Sequence, residues 1–132
     1  MNTTEFIRKK PVIDLSYLTH DEYVYISGPA TNVYNYDENF YSAYSFLIHH
    51  DKYKDRDILN PMSILSLVDD DYDYIDKVFI TMDILRHCDT VILDDRTDDW
   101  KNSRGVLLEL EYATLKYYNI ISLSKLMNES EE

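Results

Sequence analysis

The chain has 132 residues, of which 45% are apolar and 14% aromatic, which predicts one globular domain and excludes an intrinsically disordered chain. Its formal net charge of −12 gives no electrostatic drive to bind nucleic acid polymers or anionic membranes. The single cysteine, Cys88, excludes an internal disulfide, and no apolar run is long enough for a signal peptide or membrane span, so we expect a cytoplasmic protein with no membrane partner.

The first recognisable strand pattern begins at Tyr23, and it sets the expected domain limits. We expect an N-terminal extension over residues 1–22, one domain over residues 23–127 and a frayed acidic tail over residues 128–132. Within the extension, residues 12–13 are compatible with a short edge strand. Residues 23–27 alternate aromatic and aliphatic side chains and predict a buried strand that stops at Gly28. Ligands gather at the carboxyl ends of parallel strands, so Ser27 and Gly28 are candidate site residues.

Helical and strand patterns alternate along the rest of the chain. We predict helices over residues 37–48, 62–68 and 74–87, and strands over residues 57–60, 90–93 and 120–123. Cys88 and Asp89 are expected to close the third helix. The acidic residues between 69 and 73 predict a solvated loop or a helix start capped by aspartate. Tyr34 or Tyr36, in the loop before the first helix, is a candidate for stacking on a base.

A polar turn at residues 100–105 runs into a helix that carries Glu109. Asn102 or Ser103 is expected to cap this helix, because short polar side chains accept the unpaired N–H groups of a first helical turn. Those N–H groups and the helix dipole favour an anion such as phosphate in front of the turn, beside Gly105. Ser103 and Glu109 are six residues apart, roughly 9 Å along a helix axis. One sugar with its phosphate spans that distance.

The same helix has one apolar stripe that we expect to face the core. Its members follow helical spacing and are Val106, Leu110, Ala113 and Tyr117. Glu109 falls at the edge of this stripe, whereas Glu111 points to solvent. Leu108 and Leu115 lie on the far side and predict a subunit contact, so we expect a homo-oligomer.

Four short motifs occur in a fixed order. They are YISGP at residues 25–29, NP at residues 60–61, CD at residues 88–89 and W-x-x-S-x-G-x-x-x-E at residues 100–109. With them, residues 23–123 resemble the nucleoside 2-deoxyribosyltransferase superfamily, which includes the 2′-deoxynucleoside 5′-phosphate N-hydrolases and the phage and bacterial domains of unknown function 4406. The resemblance implies an α/β, three-layer Rossmann-like (flavodoxin-like) fold with a central parallel sheet of four to five strands.

The resemblance also implies roles for individual residues. Glu109 corresponds to the catalytic glutamate, which the tyrosine at the Tyr25 position touches. The loop at Ser27 and Gly28 helps to hold the sugar or phosphate. Ser103 stands where the nucleotide hydrolases have a serine and the transferases often have an aspartate, which favours a 5′-phosphate in the ligand.

Two positions are less well defined by the resemblance. The relatives usually carry an aspartate, used to bind or protonate the leaving base, eight residues before the CD aspartate, where this chain has Thr81. Asp83, or another acidic residue from the 69–76 run, or a partner subunit, would have to take that catalytic role. Asp83 lies about 200° round a helix from Thr81. Trp100 is expected either to close over the site or to cover the core.

We therefore expect hydrolysis of the N-glycosidic bond of a (deoxy)nucleoside 5′-monophosphate, with Glu109, Tyr25 and Asp83 as catalytic residues. Ser27, Gly28, Trp100, Ser103 and Gly105 are the expected substrate-binding residues. No cofactor and no metal are expected, and the partner is a small nucleotide. The alternatives are a non-catalytic nucleotide-binding or interaction protein on the same scaffold, and an acidic structural oligomer without a ligand.

Overall fold

The structure, a computed structural model, describes residues 14–30, 33–65 and 73–130 of the chain. Strands and helices alternate through it. In chain order they are β1 (Tyr23–Ser27), α1 (Tyr36–Ile48), β2 (Ile58–Leu59), α2 (Pro61–Leu65), α3 (Tyr74–Leu85), β3 (Cys88–Leu93), a 3₁₀ segment (Asp98–Asn102), α4 (Arg104–Leu115), β4 (Asn119–Ser122) and α5 (Leu123–Ser130). None of the helices in the described part combines the length and hydrophobicity that crossing a bilayer requires.

The four strands form one parallel sheet in the order β2-β1-β3-β4. Ser27 of β1 pairs with Leu93 of β3, which pairs with Ser122 of β4, so the carboxyl ends of these strands align at one edge. The predicted α/β fold with a parallel sheet of four to five strands is confirmed. The strand order is that of the flavodoxin-like arrangement.

Alternation along β1 separates the core into two layers. Val24 and Ile26 pack with α1 and α5 on one face, and Tyr23 and Tyr25 pack with α3 and α4 on the other. All five residues of β1 are buried, because this strand has a neighbour on each side and helices on both faces. Tyr25 therefore lies on the same face as the helix that carries Glu109.

Residues near both ends of the described chain pack against the domain. Leu18 is buried in the same core cluster as α3, and Leu15 packs against that cluster. At the other end, α5 continues to Ser130 through residues predicted to fray. Asp95 holds the start of α5 by accepting the Ser124 N–H at 2.9 Å, and Leu126 is buried. The proposed edge strand at residues 12–13 and the acidic residues 69–71 lie outside the described residues.

Two local predictions are corrected. Cys88 does not close α3 but begins β3, where it pairs with Tyr23. It is a buried core residue, and burial raises the pKa of its thiol to about 12. Tyr117 does not continue the apolar stripe of α4, because the helix ends at Leu115. With φ at 60°, Tyr117 leaves the helical path and is 94% exposed.

Candidate active site

A cavity of about 600 Å³ opens at the carboxyl end of β1. Its walls come from the turn after β1, from α1, α2 and α3, and from the first half of α4. Ligand sites of open parallel sheets form at this edge, and small-molecule pockets have volumes in this range. The predicted site residues Tyr25, Gly28, Ser103, Gly105 and Glu109 all line it.

The Glu109 side chain is almost completely buried at the wall of this cavity, with 6% of its surface exposed. Its neighbours on the inner side of α4, Val106 and Ala113, are buried in the same way, which draws the carboxyl towards the sheet. Ser27 donates a hydrogen bond from Oγ to Glu109 Oε1 at 3.0 Å. The Tyr25 hydroxyl interacts with the same carboxyl group. Two positions of β1, two residues apart, therefore fix the orientation of Glu109.

Burial dominates the electrostatics of this carboxyl group. Loss of water raises the pKa of Glu109 to about 7, although the hydrogen bonds from Tyr25 and Ser27 lower it. The pKa of Tyr25 is held well above its usual value, first by burial and then by the adjacent Glu109. A carboxyl group that titrates near neutral pH inside a cavity is the kind of group that enzymes use as acid, base or nucleophile.

The N-terminus of α4 forms another part of the wall. Ser103 caps it, as predicted, with Oγ accepting the Val106 N–H at 3.3 Å. A Cβ atom added to Gly105 would have Ser103 Oγ and Tyr74 Oη as its nearest neighbours, both at 4.0 Å, so the space beside the backbone is open. The first N–H groups of an α-helix lack partners within the helix and carry partial positive charge. A ligand anion can approach this backbone closely.

Helix α3 contributes two polar side chains, Tyr74 and Lys77, that the sequence analysis did not identify. Asp73 caps α3 in a reciprocal pair with Asp76, which confirms the predicted aspartate cap. A helix starting at Tyr74 places Lys77 and Thr81 on the same face, at spacings of three and four residues. The aspartate cap and this spacing could therefore have indicated from the sequence that Lys77 lies on the same helix face as Thr81.

Asp83 was predicted to be a catalytic residue. It is not among the residues that line the cavity, and its carboxylate pairs with Arg86 at 3.3 Å. Thr81 does line the cavity, and a residue two positions later lies about 200° further round the helix. Thr81 itself donates its hydroxyl to the Val78 carbonyl at 2.9 Å. Of these two residues, only Thr81 lines the cavity.

Trp100 and Ser27 are two predicted binding residues that are not among the residues lining the cavity. Trp100 is not a lining residue; its carbonyl accepts the Ser103 N–H at 3.2 Å, so it belongs to the turn that leads into α4. Ser27 is fully buried and holds Glu109. Gly28 does line the cavity, and a Cβ there would lie 3.2 Å from Phe40 Cζ, so the close packing of α1 on this turn favours glycine.

Within residues 14–30, 33–65 and 73–130, no group of three or more His, Cys, Asp or Glu side chains is arranged to hold a metal ion.

The buried carboxyl group makes folding stability depend on pH. Glu109→Gln is expected to raise the free energy of unfolding by about 3 kcal/mol at pH 8 and by less than about 1 kcal/mol at pH 5. Ionisation costs more in the fold, where the pKa is about 7, than in the unfolded chain, so wild-type stability is full at low pH and falls as pH rises through 7. Urea unfolding at both pH values measures this. Glu111→Gln on the exposed face of α4 is the control, and an equal gain at both pH values would contradict the assignment.

The fold and the site together define an open α/β protein with a buried carboxyl group at the wall of a cavity beside a helix N-terminus. Residues 22–122 match the family described as Domain of unknown function (DUF4406), and the chain belongs to this family. The match includes every strand and the whole of α1 to α4. No curated protein and no solved structure matches the chain.

Proposed function

We propose that this protein hydrolyses the N-glycosidic bond of a (deoxy)nucleoside 5′-monophosphate and releases free base and sugar phosphate. The observation that carries the proposal is that the buried Glu109 and the N-terminus of α4 face one cavity. Ser103 and Glu109 lie roughly 9 Å apart along the helix axis. A sugar with a 5′-phosphate is long enough to place its phosphate at Ser103 and its C1′ atom at Glu109.

Glu109 supplies the chemistry at the sugar. As the C1′–N bond breaks, its electron pair leaves with the base and positive charge develops at C1′. The ionised Glu109 attacks C1′ or stabilises this charge. Water then adds its oxygen to C1′, which breaks any bond to Glu109, and the proton that water loses balances the one that the departed base takes from solvent. The hydrogen bond from Ser27 keeps the carboxylate in place during this step. The raised pKa makes the carboxylate a stronger base than an exposed glutamate while leaving a large ionised fraction at neutral pH.

The other end of the cavity has groups that suit a phosphate. The Ser103 hydroxyl and the first amides of α4 are donors, and the Lys77 ammonium adds a positive charge at the α3 wall. Tyr74 Oη lies beside the Gly105 backbone and adds a further donor. Asp73 also lines this wall, but its Oδ1 accepts the Asp76 N–H as the cap of α3. These contacts favour a nucleotide over a nucleoside.

Incubation of the purified protein with ribo- and deoxyribonucleoside 5′-monophosphates, followed by chromatography for free base, tests the proposal. We expect release of free base from at least one of them, in amounts that increase with enzyme and time. Absence of free base from the whole panel would contradict hydrolysis.

Thr81 supports a second candidate, a non-catalytic nucleotide-binding protein. The residue lies at the cavity wall where the resembled superfamily has an aspartate, and its hydroxyl is engaged with the Val78 carbonyl. A ligand-induced rise in melting temperature without release of base is the result that this candidate predicts.

Two further properties belong to the proposal. We expect the protein to act in the cytoplasm, where free nucleotides are found. We also expect a homo-oligomer, because Leu107, Leu108 and Leu115 of α4 are 46%, 43% and 72% exposed. Light scattering coupled to size-exclusion chromatography measures the oligomeric state.

A further inference from the structure

This inference rests on the proposed function: if the phosphate lies at the N-terminus of α4, the position of the base in the cavity can be inferred. Helices α3 and α4 pack on one face of the sheet, and α1 packs on the other, so the α1 wall faces the Ser103 and Lys77 wall across the cavity. With phosphate at α4 and C1′ at Glu109, we expect the base to lie towards α1. Helix α1 lines the cavity with Tyr36, Asp37 and Phe40. Helix α2, whose Leu65 packs with the α3 and α4 cluster, adds Pro61, Met62 and Leu65.

Asp37 is the carboxylate on this otherwise aromatic and apolar wall. It lies in the first turn of α1, next to Tyr36, which lines the cavity as well. Within the described residues, no hydrogen bond or ion pair engages the Asp37 carboxylate. An ionised carboxylate has acceptor sites only, so a ligand placed beside it must present a donor.

We propose that Asp37 selects the base by accepting a hydrogen bond from an exocyclic amino group. The site then prefers amino-bearing bases, such as guanine, adenine or cytosine, over counterparts that lack the amino group or carry an oxo group in its place. A donor gains a charge-assisted hydrogen bond. A carbonyl oxygen at the same position gains no hydrogen bond from the carboxylate and is repelled by its negative charge, which adds to the discrimination.

A structural role for Asp37 makes a different prediction. Asp37 and Glu38 are both acidic residues in the first turn of α1, where a negative charge favours the helix dipole. Both side chains are exposed, but Asp37 lines the cavity and Glu38 does not. If charge at the helix end were the only function, the two residues would be equivalent, and neither would distinguish one base from another.

The test measures equilibrium binding to Glu109→Gln, in which cleavage is removed, by calorimetry with two matched pairs of ligands. The pairs are dGMP with dIMP, and dCMP with dUMP. We expect the amino-bearing member of at least one pair to bind about 10- to 100-fold more tightly, the size of one charge-assisted hydrogen bond. Adding Asp37→Asn should reduce this ratio to below about threefold, while adding Glu38→Gln should preserve it.

Three results would overturn the assignment of Asp37. They are equal affinities within both pairs, a preference that remains after Asp37→Asn, and no binding of any of the four nucleotides. Failure of the Asp37 assignment can be distinguished from failure of the proposed hydrolysis. If wild type releases no base but the binding preference depends on Asp37, hydrolysis fails and base selection stands.

Discussion

Replacement of Glu109 by glutamine is expected to reduce the rate of base release by at least about 10³-fold. The glutamine side chain keeps nearly the same shape and can still accept the Ser27 hydrogen bond, but it has no negative charge to oppose the charge that develops at C1′. The loss should therefore appear in kcat, with little change in nucleotide binding. Steady-state kinetics on the best monophosphate measure both parameters.

Glu111→Gln is the matched control, because it removes the same charge from the exposed face of the same helix. It should retain wild-type kinetics. The wild-type enzyme should also gain activity as pH rises through about 7, because the ionised form of Glu109 is the active form and burial raises its pKa to that value. Unchanged turnover in Glu109→Gln would remove this residue from the mechanism.

Replacement of Ser103 by aspartate is expected to lower kcat/KM for a nucleoside 5′-monophosphate by about 100-fold or more, and to leave the corresponding nucleoside unaffected. Aspartate caps a helix as well as serine does, so α4 should begin at the same residue. The new carboxylate meets the phosphate across a few ångströms, and two like charges at 4 Å repel by about 4 kcal/mol at a protein surface. Assays with paired nucleotide and nucleoside substrates give the ratio directly.

Ser103→Asn separates charge from capping, because asparagine caps a helix but is neutral. We expect it to keep most of the preference for the phosphorylated substrate. If Ser103→Asp and Ser103→Asn have the same effect, the N-terminus of α4 is not the phosphate site.

Local sequence patterns were sufficient to predict the strands of the sheet and some of the residues that line the cavity. The alternation at residues 23–27 defined β1, and Ser103 was recognisable as a cap because its partner, the Val106 N–H, is three residues away. The helical position of Glu109 placed it beside the core stripe, and it is buried. Each of these features depends on neighbours within one or two turns of chain.

The features that were missed depend on contacts between distant segments. Helix α5 was not predicted, because its cap comes from Asp95, 29 positions before Ser124. Tyr74, Lys77 and Asp37 reach the cavity only because α1 and α3 converge on the end of β1 from opposite faces of the sheet. Asp83 was chosen for its closeness in sequence to Thr81, but its face of α3 does not line the cavity.

The central claim is that one cavity holds an anion at the start of α4 and the reacting sugar carbon at residue 109. A crystal structure of Glu109→Gln with an uncleaved nucleoside 5′-monophosphate tests it most directly. We expect phosphate oxygens about 3 Å from Ser103 Oγ or the Gly105 amide, with C1′ facing the substituted side chain at position 109. A nucleotide bound with its phosphate away from α4, or with its sugar turned from that position, would contradict the account.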